Sequence, residues 1–274
     1  MKSPGKYLYG YYQKKSKDFH KTLRALKNSE GKDEIHDLRV SIKKIKALFH
    51  FLEITAPKDF KAKKHSRIFK PVFKLAGNLR ESQLHSAHMS RQPVSLTNQS
   101  LYKKYLTQKE DIFREKFCEQ LDKFDQKKFH SLEDKVKLLA MDADEKNTTK
   151  RLKKYLRDQT DEIKSIEENP GVHAVHYIRK QIKLLDVLVN ILCKISPNHN
   201  FEKILKDLHK AEELLGNWHD RNTFSHSISY FLRSKYVPSA SERKVFEQLH
   251  QKLSLQTKKE IPGILEKVVG LLPT

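Results

Sequence analysis

Glycine, proline and cysteine are all scarce in this sequence. Eight glycines and nine prolines in 274 residues are too few for a turn-dense β architecture, and no segment alternates polar and apolar residues over a useful length, so no sheet is expected. The two cysteines, Cys118 and Cys193, offer neither metal-ligand spacing nor a disulfide framework, which suits a reducing cytoplasm. No apolar run approaches the ~20 residues that cross a bilayer, and the opening MKSPGKYLYGYY has no apolar core of a secretory signal. A glycine-rich phosphate loop and a carboxylate cluster suited to Mg²⁺ are missing too. Acidic residues are in deficit: 34 Asp and Glu stand against 55 Lys and Arg, a formal net charge of +21. These absences leave a basic, helical, cytoplasmic protein with no catalytic, cofactor or metal signature.

A charge excess of that size exceeds what solubility requires and points to a polyanionic partner. Its arrangement is visible in EIHDLRVSIKKIKALFHFLE, residues 34–53. Ile35, Leu38, Ile42, Ile45, Phe49 and Leu52 recur at spacings of three and four and form a core-facing stripe. His36, Arg39, Lys43, Lys46 and His50 recur at the same spacings. They fall within an arc of roughly 80°, about 120° from the apolar stripe, and extend about 21 Å along the axis. A solvated face normally interleaves acids and bases at (i, i+4), and this one has few acids. Arg can grip phosphate oxygens with two donors, Lys adds a mobile charge and His a titratable one. One phosphate occupies a single turn, so a stripe this long suits a polymer. Aromatics on which bases could stack are missing from it, which weakens a single-stranded nucleic-acid reading.

The same pattern occurs twice. EIHDLRVSIKKIKALFHFL (34–52) aligns without a gap to AVHYIRKQIKLLDVLVNIL (174–192), pairing His36 with His176, Arg39 with Arg179 and Lys43 with Lys183 at an offset of 140. LAGNLRE (75–81) aligns with LLGNWHD (214–220), placing Gly77 opposite Gly216 at 139. The chain therefore reads as a tandem duplication, with a first repeat over 1–140, a polar boundary at 141–149 and a second repeat over 147–274. Expected helices cover about 5–28, 33–55, 58–89, 99–127 and 129–140. They continue at 147–168, 171–195, 199–233 (Gly216 its weak point) and 238–258, with a last short helix before Pro273. NSEGKD, TAPKD, RQPVSLTN, ENPG and ISPNHN supply the breaks. The fold class is all-α, two four-helix bundles related by a pseudo-twofold axis.

IHDLRVSIKKIK and VHYIRKQIK, each followed about 40 residues later by LAGNLRE or LLGNWHD, together resemble the CHAD domain, the conserved-histidine α-helical domain. The resemblance runs from about residue 5 to 272 and implies a basic channel or surface that binds inorganic polyphosphate. His36, Arg39, Lys43 and Lys46 match its first motif, and His176, Arg179 and Lys183 its second. With His50, Arg80, Lys180 and His219 beside them, these form the candidate polyphosphate-binding set. The second copy departs from the family at Asp186, where a basic residue is usual. Glu81 and Asp220 are expected to orient basic neighbours. The E-x-E-x-K strand of the triphosphate-tunnel domains fused to some relatives is missing, so a non-catalytic binder is expected, with targeting to polyphosphate granules as its extension. A general nucleic-acid binder is the alternative, although no helix-turn-helix, zinc-finger or RNA-binding signature occurs. HSAH (85–88) and HAVH (173–176) lack a third ligand, and His176 already belongs to the basic stripe, so neither is read as metal-binding. Trp218 and the tyrosines of KYLYGYY are read as packing residues. The titrating groups expected between pH 8 and pH 6 are His36 and His176, with Lys and Arg charges fixed.

Overall fold

The computed structural model of the chain describes residues 3–28, 31–166, 170–236 and 239–273. In order it runs α1 (Pro4–Asn28), α2 (Lys32–Thr55), α3 (Ala62–Ser66), a 3-10 turn at Arg67–Phe69 and α4 (Lys70–Ser90). Then follow α5 (Leu96–Asp122), α6 (Gln126–Met141), α7 (Glu145–Lys164), α8 (Val172–Ile195), α9 (His199–Leu232) and α10 (Ala240–Leu271). The described residues contain no strand, and none of their helices is long and apolar enough to cross a membrane. The all-α expectation is met. Residues 29–30 of NSEGKD, 168–169 of ENPG and 238, the expected start of a helix, lie outside the described residues.

Most helix starts follow from side chains that satisfy the first free N–H groups. Ser95, Asp125, Asp144 and Ser239 accept from the backbone N–H three residues on, and Asn198 from that of Asn200. The two helices that carry the sequence motif differ from these. α2 and α8 both open after a glycine, Gly31 and Gly171, and both close with the cap N–H returning to a leucine carbonyl, Leu52 and Leu192. Proline follows each closure, at 57 and 197.

Two boundaries differ from expectation. The helix expected over 58–89 is divided, because Pro71 has no N–H for an uninterrupted ladder and is tolerated in a first turn, where α4 begins. Phe60 and Phe69, buried on either side of α3, hold the divided segment on the core. Conversely, α10 does not stop near 258. It continues through Pro262 to Leu271, since Ile261, Leu265 and Val268 are buried and their packing outweighs the lost hydrogen bond. α9 keeps its expected span and runs unbroken through Gly216.

Two apolar clusters hold the helices. The larger draws on α1, α2, α6, α7 and α8 and on parts of α4, α9 and α10, with Phe19, Ile42, Phe49, Ile182, Leu188 and Trp218 among its members. The smaller joins the far ends of two hairpins, α4–α5 and α9–α10, through Met89, Tyr102, Phe224, Phe231 and Phe246. Each cluster takes residues from both sides of 141–149, where the chain makes a turn at 142–144 between α6 and α7. α2 packs beside α8, α4 lies on α2, and α9 lies on α8. Those four helices frame the site.

Candidate functional site

The basic stripes of α2 and α8 face one another. The ammonium of Lys43 is held down to about 8, first by burial and then by Lys183, Arg39 and Arg179, with Glu212 opposing. The Lys43 side chain nonetheless keeps access to water, as a cation does on the wall of a cleft. Arg39 is destabilised in its charged form by burial and by Arg80 and Arg179, against the pull of Glu81. Arg179 is destabilised by burial and relieved by Asp220 and Glu212. Arg39 thus stands within electrostatic reach of Arg179, and Lys43 of Lys183. Both pairs are ones that the sequence places in register.

Neighbours fix these cations in position. Arg39 Nη1 donates to the Phe73 carbonyl of α4 at 3.0 Å, and its guanidinium lies 4.6 Å from the Phe73 ring centroid. Lys46 Nζ is 5.3 Å from the same ring, a cation–π arrangement in both cases. Gly77 admits the arginine: a Cβ there would stand 2.5 Å from Arg39 Nη1, whereas one on Gly216 would meet nothing within 4 Å. The two aligned glycines therefore have different surroundings. On the other side Lys183 pairs with Glu212 at 2.7 Å.

His219 of α9 completes the cluster. Its pKa falls to about 3, through burial and then through Arg179, His176, Lys183 and Lys43. Its ring meets that of His176 edge-on at 5.1 Å, and His176 in turn stands 5.3 Å from Trp218. Burial, Arg179 and Lys180 lower the His176 pKa. Two buried side-chain nitrogens here have no protein partner, Arg179 Nε and His219 Nδ1. Buried polar atoms are nearly always paired, so Arg179 Nε is a donor left without its acceptor.

The remaining sequence-chosen residues lie around this centre. Arg80 bonds Gln83 at 3.2 Å, and Lys180 is exposed on the rim. His36 is exposed one turn before Arg39, and His50 faces Glu53 at 3.9 Å, its pKa lowered chiefly by burial. Asp186 is engaged by His209 at 2.8 Å, so that position faces a local histidine rather than extending the stripe. Two adjoining cavities follow the groove. One of about 380 Å³ is lined by Arg39, Lys46, Phe73, Lys74 and Gly77; the other, of about 410 Å³, by Lys109, His173, His176 and His226. Asn78 and Glu81 line both.

A family model described as the CHAD domain matches residues 10–228. The chain belongs to the CHAD domain family. Its fold is similar to the crystal structure of the CHAD domain from the plant Ricinus communis, at TM-score 0.76 and 11% identity over 98% of this chain and 91% of that one. It is also similar to PptA from Streptomyces chartreusis, at TM-score 0.68 and 14% identity over 97% and 99%. No curated protein matches the sequence. The matched span ends within α9, but coverage of 98% carries the CHAD fold through α10.

Sequence reasoning missed three contributors to this site. Phe73 gave no signal, because an aromatic two residues before LAGNLRE reads as core. Lys109, whose ammonium faces Glu81, lies on α5 outside both motifs. Glu212 sits two residues before LLGNWHD and looks like surface charge until Lys183 is placed against it. Among the described residues no group of three or more His, Cys, Asp or Glu is placed to hold a metal ion.

Proposed function

We propose that the groove between α2 and α8, walled by α4 and α9, binds inorganic polyphosphate without catalysing its breakdown, and that this binding directs the protein to polyphosphate granules. The observation carrying this reading is the meeting of Arg39 with Arg179 and of Lys43 with Lys183. Such an arrangement raises the energy of the empty protein, since each cation disfavours the next at short range. A linear phosphate chain would relieve that repulsion at several points together. Glu81, Glu212 and Asp220 temper the charge without cancelling it, which leaves a polyanion able to displace them. The tandem-repeat reading is supported by the same pairs and by the equal 24-residue lengths of α2 and α8.

Competition between long-chain polyphosphate and double-stranded DNA tests this at fixed ionic strength. Polyphosphate should win at physiological salt, where the Debye length is about 8 Å, and its log–log salt slope should reflect the several phosphates neutralised. Equal displacement by DNA would favour general nucleic-acid binding instead.

The pH dependence follows from Lys43. The empty protein holds this lysine near 8, and a bound polyanion restores it toward its ordinary value. Binding therefore takes up a proton above pH 8, and affinity should fall as pH rises from about 7 to about 9. Lys43→Arg should flatten that limb, because Arg keeps its charge throughout. Isothermal titration in buffers of different ionisation enthalpy reads the proton directly. Lys43 also corrects the expectation that histidines alone change charge between pH 8 and pH 6.

A further inference from the structure

α7 carries a second basic stripe, away from the groove. Lys146, Lys150, Lys153, Lys154 and Arg157 fall within an arc of about 100° and extend about 16 Å along the helix. Arg151 flanks them, and all six side chains are exposed. They outline an open concavity of about 820 Å³. The opposite face of α7 is spent on the core, where Leu152, Leu156 and Ile163 are buried.

Asp158 and Asp161 follow Lys154 and Arg157 at (i, i+4), but no ion pair is closed on this stripe among the described residues. None of the six forms an ion pair there, whereas cations on other surface helices do: Arg114 with Glu110 at 3.0 Å, Lys123 with Glu119 at 3.5 Å, Arg243 with Glu247 at 3.8 Å. Lys153 has only the Phe201 ring, 5.3 Å away. Lys146 lies in the first turn, where the helix macrodipole disfavours a cation. Like charges at (i, i+4), as in 146, 150 and 154, disfavour the helix further. The stripe is also remote from the groove. On α8, Leu185, Leu188, Val189 and Leu192 meet Leu152, Tyr155 and Leu156 of α7, and helical geometry puts Arg179 and Lys183 on the reverse side of α8.

We propose that the outer face of α7 is a second polyanion-binding surface, which takes a separate segment of linear polyphosphate, so that one molecule bridges two segments. The bridging rests on the groove reading above; the α7 site does not. A straight row of cations with no apolar residues beside it fits a linear polymer better than a bilayer, because the apolar side of α7 is buried and unable to insert.

The test is calorimetric titration with a polyphosphate too short to span both faces, paired with light scattering on long-chain polyphosphate. The native protein should show two binding events, the α7 event weaker and more salt-sensitive, and should cross-link long chains into large assemblies. Lys150→Glu with Lys154→Glu and Arg157→Glu should remove the weaker event and cut scattering at least tenfold, with an unchanged melting temperature. The proposal is overturned by a single event in the native protein that the α7 variant retains, by two events in that variant, or by phosphatidylserine vesicles competing for α7 as well as polyphosphate does. Arg39→Ala with Arg179→Ala separates the two readings. It should abolish the tighter event and leave the α7 event, and its failure to do so counts against the groove alone.

Discussion

Replacing Arg39 and Arg179 together by alanine should weaken polyphosphate binding about 100-fold or more while the melting temperature moves by only a few degrees. Each guanidinium can make charge-assisted hydrogen bonds to phosphate worth about 1.5–3 kcal/mol, so losing both removes roughly 3–6 kcal/mol. The folding side is small because opposing effects offset. Arg39 gives up its bond to the Phe73 carbonyl and its place on the Phe73 ring. In exchange the double variant ends the unfavourable approach of Arg39 to Arg80 and Arg179. A net change near 1 kcal/mol shifts the midpoint by about 2–4 °C at domain sizes of this order. Filter-retention binding beside a thermal melt reads both quantities. Early melting with undiminished binding would mean that the arginines serve the fold instead.

Trp218→Ala should have the largest effect on stability. The indole is fully buried in the main cluster and its N–H donates to the Thr257 carbonyl at 2.9 Å, tying α9 to α10. Removing it costs about 3–5 kcal/mol for the cavity and also loses the indole bond to the Thr257 carbonyl. At about 2–4 °C per kcal/mol the melting point should fall by roughly 10 °C. Trp218→Phe should recover part of that. Because His176 rests 5.3 Å from the indole ring, the alanine variant should also bind polyphosphate more weakly even below its melting point. Urea unfolding at 25 °C decides the matter, and a midpoint indistinguishable from native would contradict the packing role assigned to Trp218.

How far the sequence alone reaches is clearest in α2 and α8. Their apolar periodicity set their limits, and the in-register alignment picked out Arg39 with Arg179 and Lys43 with Lys183 before any fold was in view. Periodicity assigns a residue to a face of its helix. It does not say which helix that face will meet. His36 and His50 share the stripe's angle with Lys43 yet lie where α2 meets solvent or Glu53. Phe73, Lys109 and Glu212 reach the site from helices whose crossing is set by the packed core. Proline misled in both directions, since Pro71 marks a restart in mid-segment while Pro262 is absorbed by buried neighbours. The depressed Lys43 was invisible for a related reason, because desolvation depends on everything packed around the ammonium. On α7 the sequence carried its full basic stripe, but its separation from the groove became apparent only when α8 was found between them.

The most direct measurement of groove binding is the set of arginine Nε–H resonances, followed by NMR as polyphosphate is added to the first equivalent. Arg39 and Arg179 face each other inside the groove, and Arg179 Nε has no protein partner. Their signals should move together and furthest, with Arg151 and Arg157 of α7 responding only beyond that equivalent. Signals from Arg39 and Arg179 that stay fixed while exposed arginines shift in proportion to their exposure would contradict polyphosphate binding in the groove.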